Sequence, residues 1–246
     1  MQGIFDMFQS SSILPIMYFQ HSPDIWRDFP HLVAGTLVID GLTSTVDATA
    51  DVDKHFARAR ERLTDTDEGQ LPEIEAWRKA YSQMGLKPTQ YRCAAESLLR
   101  RFKKENSLPK FHPLVDLCNA FSLAFATPIA VYDTSKIKGG IEVRYATGKE
   151  WYLDFTGLRE IPPAGEVIFA DEAGHAHSRR WCYRQSKLSV IRPESTEALI
   201  VMEAHHATAP QDVQTLSDAL TETLARLWKA PRKQQILTAG VPRLDF

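Results

Sequence analysis

Imidazole and thiol side chains, which bind metals and take part in acyl transfer, occur at several places in this sequence. His175 and His177 are one residue apart and precede Cys182, and His205 and His206 form a second pair. Imidazole and thiolate both bind zinc, but no carboxylate stands at the spacing of a known zinc motif. We therefore expect these histidines to lie at the surface or in hydrogen bonds, with no metal and no cofactor bound.

Cys118 and Asn119 lie side by side on a predicted helix. Cys118 has no base beside it in sequence and falls on the apolar side of the helix, where cysteine is most often a small core residue. Asn119 is more informative, because asparagine is a poor mid-helix residue whose amide needs partners. Either Asn119 ties the helix to a neighbouring loop, or it lines a pocket and contacts a carbonyl or a ribose hydroxyl.

Carboxylates occur at the ends of predicted strands. Glu203 closes the apolar strand ALIVMEA, and a lone carboxylate there is costly unless it is paired or solvated. It either ends the strand in water or recognises a hydroxyl or an amine in a pocket. Asp116, Asp133 and Asp171 are predicted to be turn or cap residues.

The segment SRRWCYRQSK, residues 178–187, concentrates four cations and two aromatic rings outside any predicted helix. Guanidinium groups interleaved with rings suit single-stranded RNA, whose bases stack and whose phosphates need positive charge. The alternative is arginine packed on tryptophan within the fold. Together with Lys110 and the basic face of the helix predicted over 89–104, this segment could form a local basic groove. The expected RNA contacts are therefore Arg100, Arg101, Arg180, Trp181 and Arg184.

Hydrophobic periodicity places helices mostly in the first half of the chain and strands mostly in the second. Among these elements are helices predicted over about 89–104 and 211–229, and strands predicted over 150–154 and 198–204. Without strict alternation of strand and helix, this order predicts an α+β fold with mixed or antiparallel sheets, sandwich-like and flanked by helices. No glycine-rich loop follows a strand, which disfavours a dinucleotide or P-loop site. We divide the chain into an N-terminal arm (1–22), one domain (23–230) and a C-terminal tail (231–246).

Composition sets the broad class. The chain has 246 residues, 43% of them apolar, which suffices for one large core or two small ones. A formal charge of −2 provides no global field toward DNA or an anionic membrane. Three cysteines without a paired motif suit a reducing compartment, and no apolar run is long enough to span a bilayer. We expect a soluble, cytoplasmic protein.

One long segment has a family likeness. LVDLCNAFSLAFATPIAVYDTSKIKGGIEVRYATGKE resembles the editing (B3/4) domain of the bacterial phenylalanyl-tRNA synthetase β subunit. The pattern of that domain runs VVDxTN, a hydrophobic helix, then GxPLHxFDxDKLxGxIxVRxAxxGE. The likeness continues through EVIFAD (166–171) to the strand that ends at Glu203, and covers about residues 70–205.

The resemblance implies a phenylalanyl-tRNA synthetase B3/4-like fold and a function in translation fidelity. In the synthetase this domain hydrolyses mischarged tyrosyl-tRNA at the ester bond of the RNA 3′ end. A free-standing relative would be a trans-editing hydrolase acting on a mischarged aminoacyl-tRNA. Two alternatives are a non-catalytic module that binds tRNA or an amino acid, and an amidase or esterase acting on a small aminoacylated metabolite.

The resemblance also assigns residues. The Thr-Asn pair of the family falls on Cys118 and Asn119, its hydroxyl-reading glutamate on Glu203, and Ala130 stands where the family has a histidine. SRRWCYRQ replaces the glycine-rich AGVMGG loop. Asn119 would then position the carbonyl or water, and Glu203 would read the amine or side chain. Arg180 and Arg184 would bind the terminal phosphates or ribose. The other expected pocket residues are Cys118, Ala130, Ser178, Arg179 and Arg180.

Overall fold

The computed structural model describes residues 16–246. Its six helices are α1 (Pro23–Asp28), α2 (Thr49–Arg62), α3 (Pro72–Gln83), α4 (Ala94–Glu105), α5 (Pro113–Phe125) and α6 (Ala209–Leu227). Its strands form a six-stranded sheet, a four-stranded sheet and a short hairpin that stands apart from both sheets.

In their order across the sheet, the strands of the six-stranded sheet are β12 (Arg243–Asp245), β1 (Tyr18–His21), β4 (Gly140–Tyr145), β7 (Val167–Asp171), β8 (Ala176–Arg179) and β9 (Arg184–Gln185). In the same way, the strands of the four-stranded sheet are β11 (Lys233–Leu237), β2 (Val33–Asp40), β10 (Glu197–Ala204) and β3 (Ile129–Asp133). The hairpin consists of β5 (Tyr152–Leu153) and β6 (Arg159–Glu160). Among the described strands β1 and β4 run parallel, and the other pairs are antiparallel. The α+β fold predicted from the sequence is confirmed.

Local chemistry sets the helix boundaries. α3 and α5 both begin with proline, where the missing N–H costs nothing. The helix predicted over 89–104 begins five residues later, at Ala94, because Cys93 is extended and its Sγ accepts the Glu96 N–H at 3.5 Å. The helix ends at Glu105, and its C-cap residue is Asn106, which has a φ of +52°. Asparagine tolerates this left-handed conformation, which commonly ends helices.

The two faces of β10 belong to different cores, because side chains alternate along a strand. Met202 and its alternate neighbours pack against α5 and α6. Leu199 and Val201 face a second core that also contains β1, β7 and α3 side chains. Glu203 lies in the alternation of Leu199 and Val201, so its carboxylate points into this second core, which we call the inter-sheet core.

Both ends of the described chain contribute strands. β1 lies between β12 and β4 in the interior of the larger sheet. Within residues 231–246, set apart as a tail by the sequence, β11 pairs with β2 and β12 pairs with β1. Gly140 allows the close parallel approach of β4 to β1, since a Cβ at that position would collide with the Tyr18 ring. No helix within residues 16–246 is both long and apolar enough to cross a membrane.

Candidate functional site

Glu203 is bound by two side chains inside the inter-sheet core. Its side chain is 3% exposed, and its Oε1 lies 2.6 Å from His21 Nε2. The Trp181 indole N–H donates to the same oxygen at 3.0 Å. The Trp77 indole N–H donates to the Glu203 backbone carbonyl at 3.3 Å. These bonds offset the cost of burying a carboxylate away from water, so Glu203 does not end the strand in solvent.

Both partners of Glu203 are positioned by their local backbone. His21 is the last residue of β1, and the next residue, Ser22, caps α1 by accepting the Ile25 N–H. Arg180 and Trp181 have φ of +45° and +60°, a left-handed region that costs non-glycine residues free energy. The Trp181 N–H donates to the Val167 carbonyl at 2.8 Å, which holds this turn in place.

His205 follows the end of β10 and packs among three aromatic rings. Its ring centroid lies 4.5 Å from Trp77, 5.1 Å from Trp181 and 5.9 Å from Phe29. Its Nε2 is buried and has no hydrogen-bond partner among the described residues. Burial lowers the pKa of His205 to about 3. The imidazole is therefore neutral at neutral pH and keeps one nitrogen lone pair for a ligand or water.

A cleft of about 360 Å³ opens above His205, and we call it the His205 cleft. This volume is within the range of small-molecule sites. Asp28 and Glu75 supply carboxylates to its wall, and Lys79 supplies an ammonium group. Within residues 16–246, neither Glu75 nor Lys79 belongs to an ion pair, so both charges face the cleft or solvent. The remaining lining residues are Phe29, Pro30, His31, Pro72, Ala76, Ala80, Gln83, His205, His206 and Ala207.

The basic segment 178–187 and Tyr91 of a neighbouring loop form a surface of aromatic rings and guanidinium groups. The Arg180 guanidinium lies 4.7 Å from the Tyr91 ring centroid, and Arg184 lies 5.5 Å from that of Tyr183. The two tyrosine rings are edge-to-face at 5.4 Å. We call these four residues the Tyr91–Tyr183 patch. Trp181 is wholly buried, so it cannot stack on an RNA base in this structure, contrary to its expected role as an RNA contact.

Other cations expected to bind RNA or to line the substrate pocket are engaged in ion pairs. On α4, Arg100 pairs with Glu68 at 2.8 Å and Arg101 with Glu105 at 2.9 Å. Arg179 is 5% exposed and donates two hydrogen bonds to the Glu166 carboxylate at 2.9 and 3.0 Å. A further contact joins it to Glu160. Arg179 therefore ties neighbouring strands together rather than lining an open pocket.

Ala130 and Ser178 fall beside the layer that contains Glu203. Ala130 pairs with Val201 and packs against the inter-sheet core. Ser178 pairs with Phe169, a residue of that core, and its hydroxyl donates to the Arg184 carbonyl at 3.1 Å. The structure thus brings Ala130, Ser178 and Glu203 into one layer, with the Trp181 indole bound to Glu203.

Cys118 and Asn119 lie elsewhere. Cys118 is buried in the core on the α5 and α6 side, and burial raises the pKa of its thiol well above the ordinary value. Asn119 lines a second cleft of about 220 Å³ with Asp47, Asp53 and Asp116. This cleft shares no lining residue with the His205 cleft. Glu203 lines neither cleft, so the structure does not bring Asn119 and Glu203 together in one pocket.

The HxH pair lies at the turn between β7 and β8. His177 is fully buried, and His175 is partly exposed. The sequence offered no carboxylate at motif spacing, yet the fold places Asp171 beside both rings. Its expected turn role is also present, since Asp171 Oδ1 accepts the Ala173 and His175 N–H groups.

Sequence reasoning missed His21, Trp77 and His205 as parts of the site. His21 lies in the stretch assigned to an arm, and Trp77 fits an ordinary apolar helix face. His205 was expected to be a surface or hydrogen-bonded histidine, with a metal ligand as the disfavoured alternative. The sequence feature that could have identified His205 is its position directly after an apolar strand that ends near Glu203. A polar residue at such a position lies at the edge of a hydrophobic core.

A family model described as the B3/4 domain matches residues 76–233. Among solved structures, an N-terminal fragment of the phenylalanyl-tRNA synthetase beta-subunit from Pyrococcus horikoshii is similar, with 10% sequence identity and a TM-score of 0.46. The alignment covers 92% of this chain and 53% of that chain, so this chain spans about half the length of the synthetase fragment. No curated protein matches.

Proposed function

The chain belongs to the B3/4 domain family, and on this basis we propose that it is a trans-editing hydrolase that deacylates a mischarged aminoacyl-tRNA. The observation that carries the proposal is the His205 imidazole, which lines a cleft of about 360 Å³ and whose buried Nε2 has no hydrogen-bond partner among the described residues. An aminoacyl ester is already activated, so hydrolysis depends mainly on holding the ester and a water in the right geometry.

In this proposal the aminoacyl group enters the His205 cleft. Its α-ammonium is attracted to the carboxylate of Glu75, whereas that of Asp28 is already bound by Arg27 and Tyr145, and its side chain lies along Phe29. His205 accepts a hydrogen bond from a water and aims it at the ester carbonyl. Because its pKa is about 3, His205 is a weak base that positions the water, and the neighbouring ribose hydroxyl assists the proton transfer.

The tRNA 3′ end would lie on the Tyr91–Tyr183 patch. Bases stack on exposed aromatic rings in a sequence-tolerant way, and arginine neutralises the adjoining phosphates. Tyr81 of α3 supports this arrangement, because its hydroxyl donates to the Arg180 carbonyl at 2.9 Å. α3 also lines the His205 cleft through Glu75 and Lys79, so one helix borders both proposed subsites.

Trp181 would set the size limit of the site. Its indole is bound to Glu203 in the layer where the resemblance assigns a pocket wall. A side chain that needs this space is excluded, and one that fits the His205 cleft is hydrolysed. This is the second-sieve arrangement, in which the pocket selects what it can admit. The division into arm, domain and tail remains part of the same proposal.

A non-catalytic module that binds tRNA or an amino acid is the second candidate. Ala130 replaces the family histidine, and His21 and Trp181 already bind Glu203, which favours this alternative. A panel of mischarged tRNAs separates the two. Deacylation faster than in buffer supports the hydrolase. Saturable tRNA binding with no deacylation rejects the hydrolase and supports the binding module. In a separate assay without RNA, hydrolysis of a small aminoacylated metabolite supports an amidase or esterase.

A further inference from the structure

Asp171, His175 and His177 bring three metal-binding atoms together at the turn between β7 and β8. His175 Nδ1 lies 2.9 Å from Asp171 Oδ2, and His177 Nε2 lies 3.2 Å from the same oxygen. All three atoms are within 4.8 Å of one another. Zinc bonds of about 2.0–2.2 Å at tetrahedral angles place ligand atoms roughly 3.3–3.5 Å apart. Both nitrogen–oxygen distances are a few tenths of an ångström below this range, and the two ring nitrogens lie within 4.8 Å of each other.

The Asp171 carboxylate has more nitrogen neighbours than it can readily accept as hydrogen bonds. Oδ2 contacts both imidazoles and the Lys138 N–H, which lies at 3.1 Å. Oδ1 contacts the N–H groups of Ala173 and His175 at 3.0 and 2.9 Å. That makes five nitrogens, whereas a carboxylate offers about four acceptor sites. If the two ring nitrogens bind a cation instead, three backbone N–H donors remain. That number is within the hydrogen bonds that a carboxylate can accept.

His177 also has the outer partner that a ligand imidazole requires. Its Nδ1 lies 2.9 Å from Ser189 Oγ in a fully buried contact. With Nδ1–H donating to that hydroxyl, the Nε2 lone pair is directed toward Asp171. Partners of this kind fix the tautomer of metal-bound histidines. The irregular register between β7 and β8, at Phe169 and Ala170, lies beside His177, and such bulges re-aim side chains next to sites.

The cluster is accessible from one side. The Asp171 and His177 side chains are wholly buried, whereas that of His175 is 20% exposed. Asp171 and Gly174 line an open groove of about 500 Å³ on the outer surface of the larger sheet. Because neither histidine lines this groove, the exposed edge of His175 is where an ion would reach the cluster and a water would complete its coordination.

From these contacts we propose that Asp171, His175 and His177 form a zinc-binding site that fixes the β7–β8 turn. Two imidazoles, one carboxylate and an open position are a donor set that suits Zn²⁺. The site is separate from the His205 cleft, with which it shares no residue. The inference therefore does not depend on the deacylase proposal.

The test titrates Zn²⁺ into the full chain, purified without a polyhistidine tag and stripped with a chelator, in competition with a chromophoric chelator. The key variant is H175N/H177Q. Its amide nitrogens take the places of His175 Nδ1 and His177 Nε2, so hydrogen bonding to Asp171 is retained while ligation is lost. His31→Asn, at an exposed histidine outside the cluster, is the matched control. Circular dichroism verifies that each variant is folded.

We expect one equivalent of Zn²⁺ per chain for the wild type and for His31→Asn, and at least about 100-fold weaker binding by H175N/H177Q. Ser189→Ala should weaken binding by about 10- to 100-fold, because it removes the outer partner of His177. Equal affinities of the wild type and the folded double variant would overturn the inference. So would the absence of stoichiometric binding by the wild type, which would leave the cluster as a hydrogen-bond network only.

Discussion

The indole N–H of Trp181 donates to Glu203 Oε1 at 3.0 Å, while His21 Nε2 lies 2.6 Å from the same oxygen. The carboxylate that the family resemblance assigns to substrate recognition is therefore bound by the chain's own side chains. This contact joins the turn after β8 to the end of β10. It makes Trp181 a structural partner of Glu203 and, in the proposed function, the residue that limits the space for a ligand.

Trp181→Phe is expected to destabilise the protein by about 1–2 kcal/mol, since a charged buried acceptor loses one donor. Urea unfolding of the purified variant measures the change. Trp228→Phe is the matched control, because its indole donates to the Thr43 carbonyl at an exposed site where water replaces the lost bond. Equal losses for the two variants would show that the Trp181–Glu203 bond is not a special stabilising contact.

Stability should depend on the protonation of His205. Its pKa in the folded protein is about 3, whereas an unfolded histidine has a pKa near about 6.5. Between these values the unfolded chain binds more protons, so the free energy of unfolding falls as the pH drops below about 6.5. A single group contributes at most about 1.4 kcal/mol per pH unit, and less here because the residue is partly exposed.

Comparing wild type with His205→Asn by urea unfolding at pH 7 and pH 5 isolates this contribution. We expect the wild type to lose more stability than the variant between these two pH values. Other histidines of lowered pKa, such as His55 and His112, are common to both proteins and cancel in the difference. Parallel losses in the two proteins would mean that His205 is not held neutral by its surroundings.

The Tyr91–Tyr183 patch predicts a salt-dependent contact with tRNA. Arg184→Ala should weaken tRNA binding and reduce the slope of log affinity against log salt by about 0.7–0.9, the value for one lost phosphate contact. Arg226→Ala, whose guanidinium pairs with Asp51 on another surface, should retain the wild-type slope. Filter binding at several salt concentrations measures both. An unchanged affinity and slope for Arg184→Ala would remove the patch from the RNA interface.

The parallel pairing of β1 with β4 can be tested by one methyl group. Gly140→Ala places a Cβ against the Tyr18 ring, and overpacking of this kind typically costs about 1–3 kcal/mol. Adding Tyr18→Ala makes room for the methyl group. The double variant should therefore lose less stability than the sum of the two single variants in urea unfolding. Simple additivity would contradict the close approach of these strands.

The sequence predicted most of the larger elements, because their hydrophobic periodicity reflects burial directly. The apolar run predicted as a strand over 198–204 is β10, Glu197–Ala204, and the helix predicted over 211–229 is α6, Ala209–Leu227. Short strands are less visible: the strand predicted over 150–154 is reduced to Tyr152–Leu153. β1 was missed as an interior strand because its parallel partner lies more than a hundred residues away.

The site was harder to predict than the fold. Glu203 was recognisable, since a carboxylate at the end of an apolar strand needs a partner. Its partners His21 and Trp181 come from remote segments that only the sheet pairing brings together. The opposite error concerns Asn119, whose place in the motif suggested a common pocket with Glu203. Strand alternation directs Glu203 into the inter-sheet core, and Asn119 lies on another helix surface, beside Asp116.

The most direct test of the central claim is the rate of amino-acid release from a panel of mischarged tRNAs, with wild type, His205→Asn and buffer run in parallel. We predict that at least one aminoacyl-tRNA is deacylated faster than in buffer. We further predict that His205→Asn, which removes the imidazole proposed to position the water, slows this reaction by roughly 100-fold. Folded wild-type protein that accelerates no member of the panel would contradict the account.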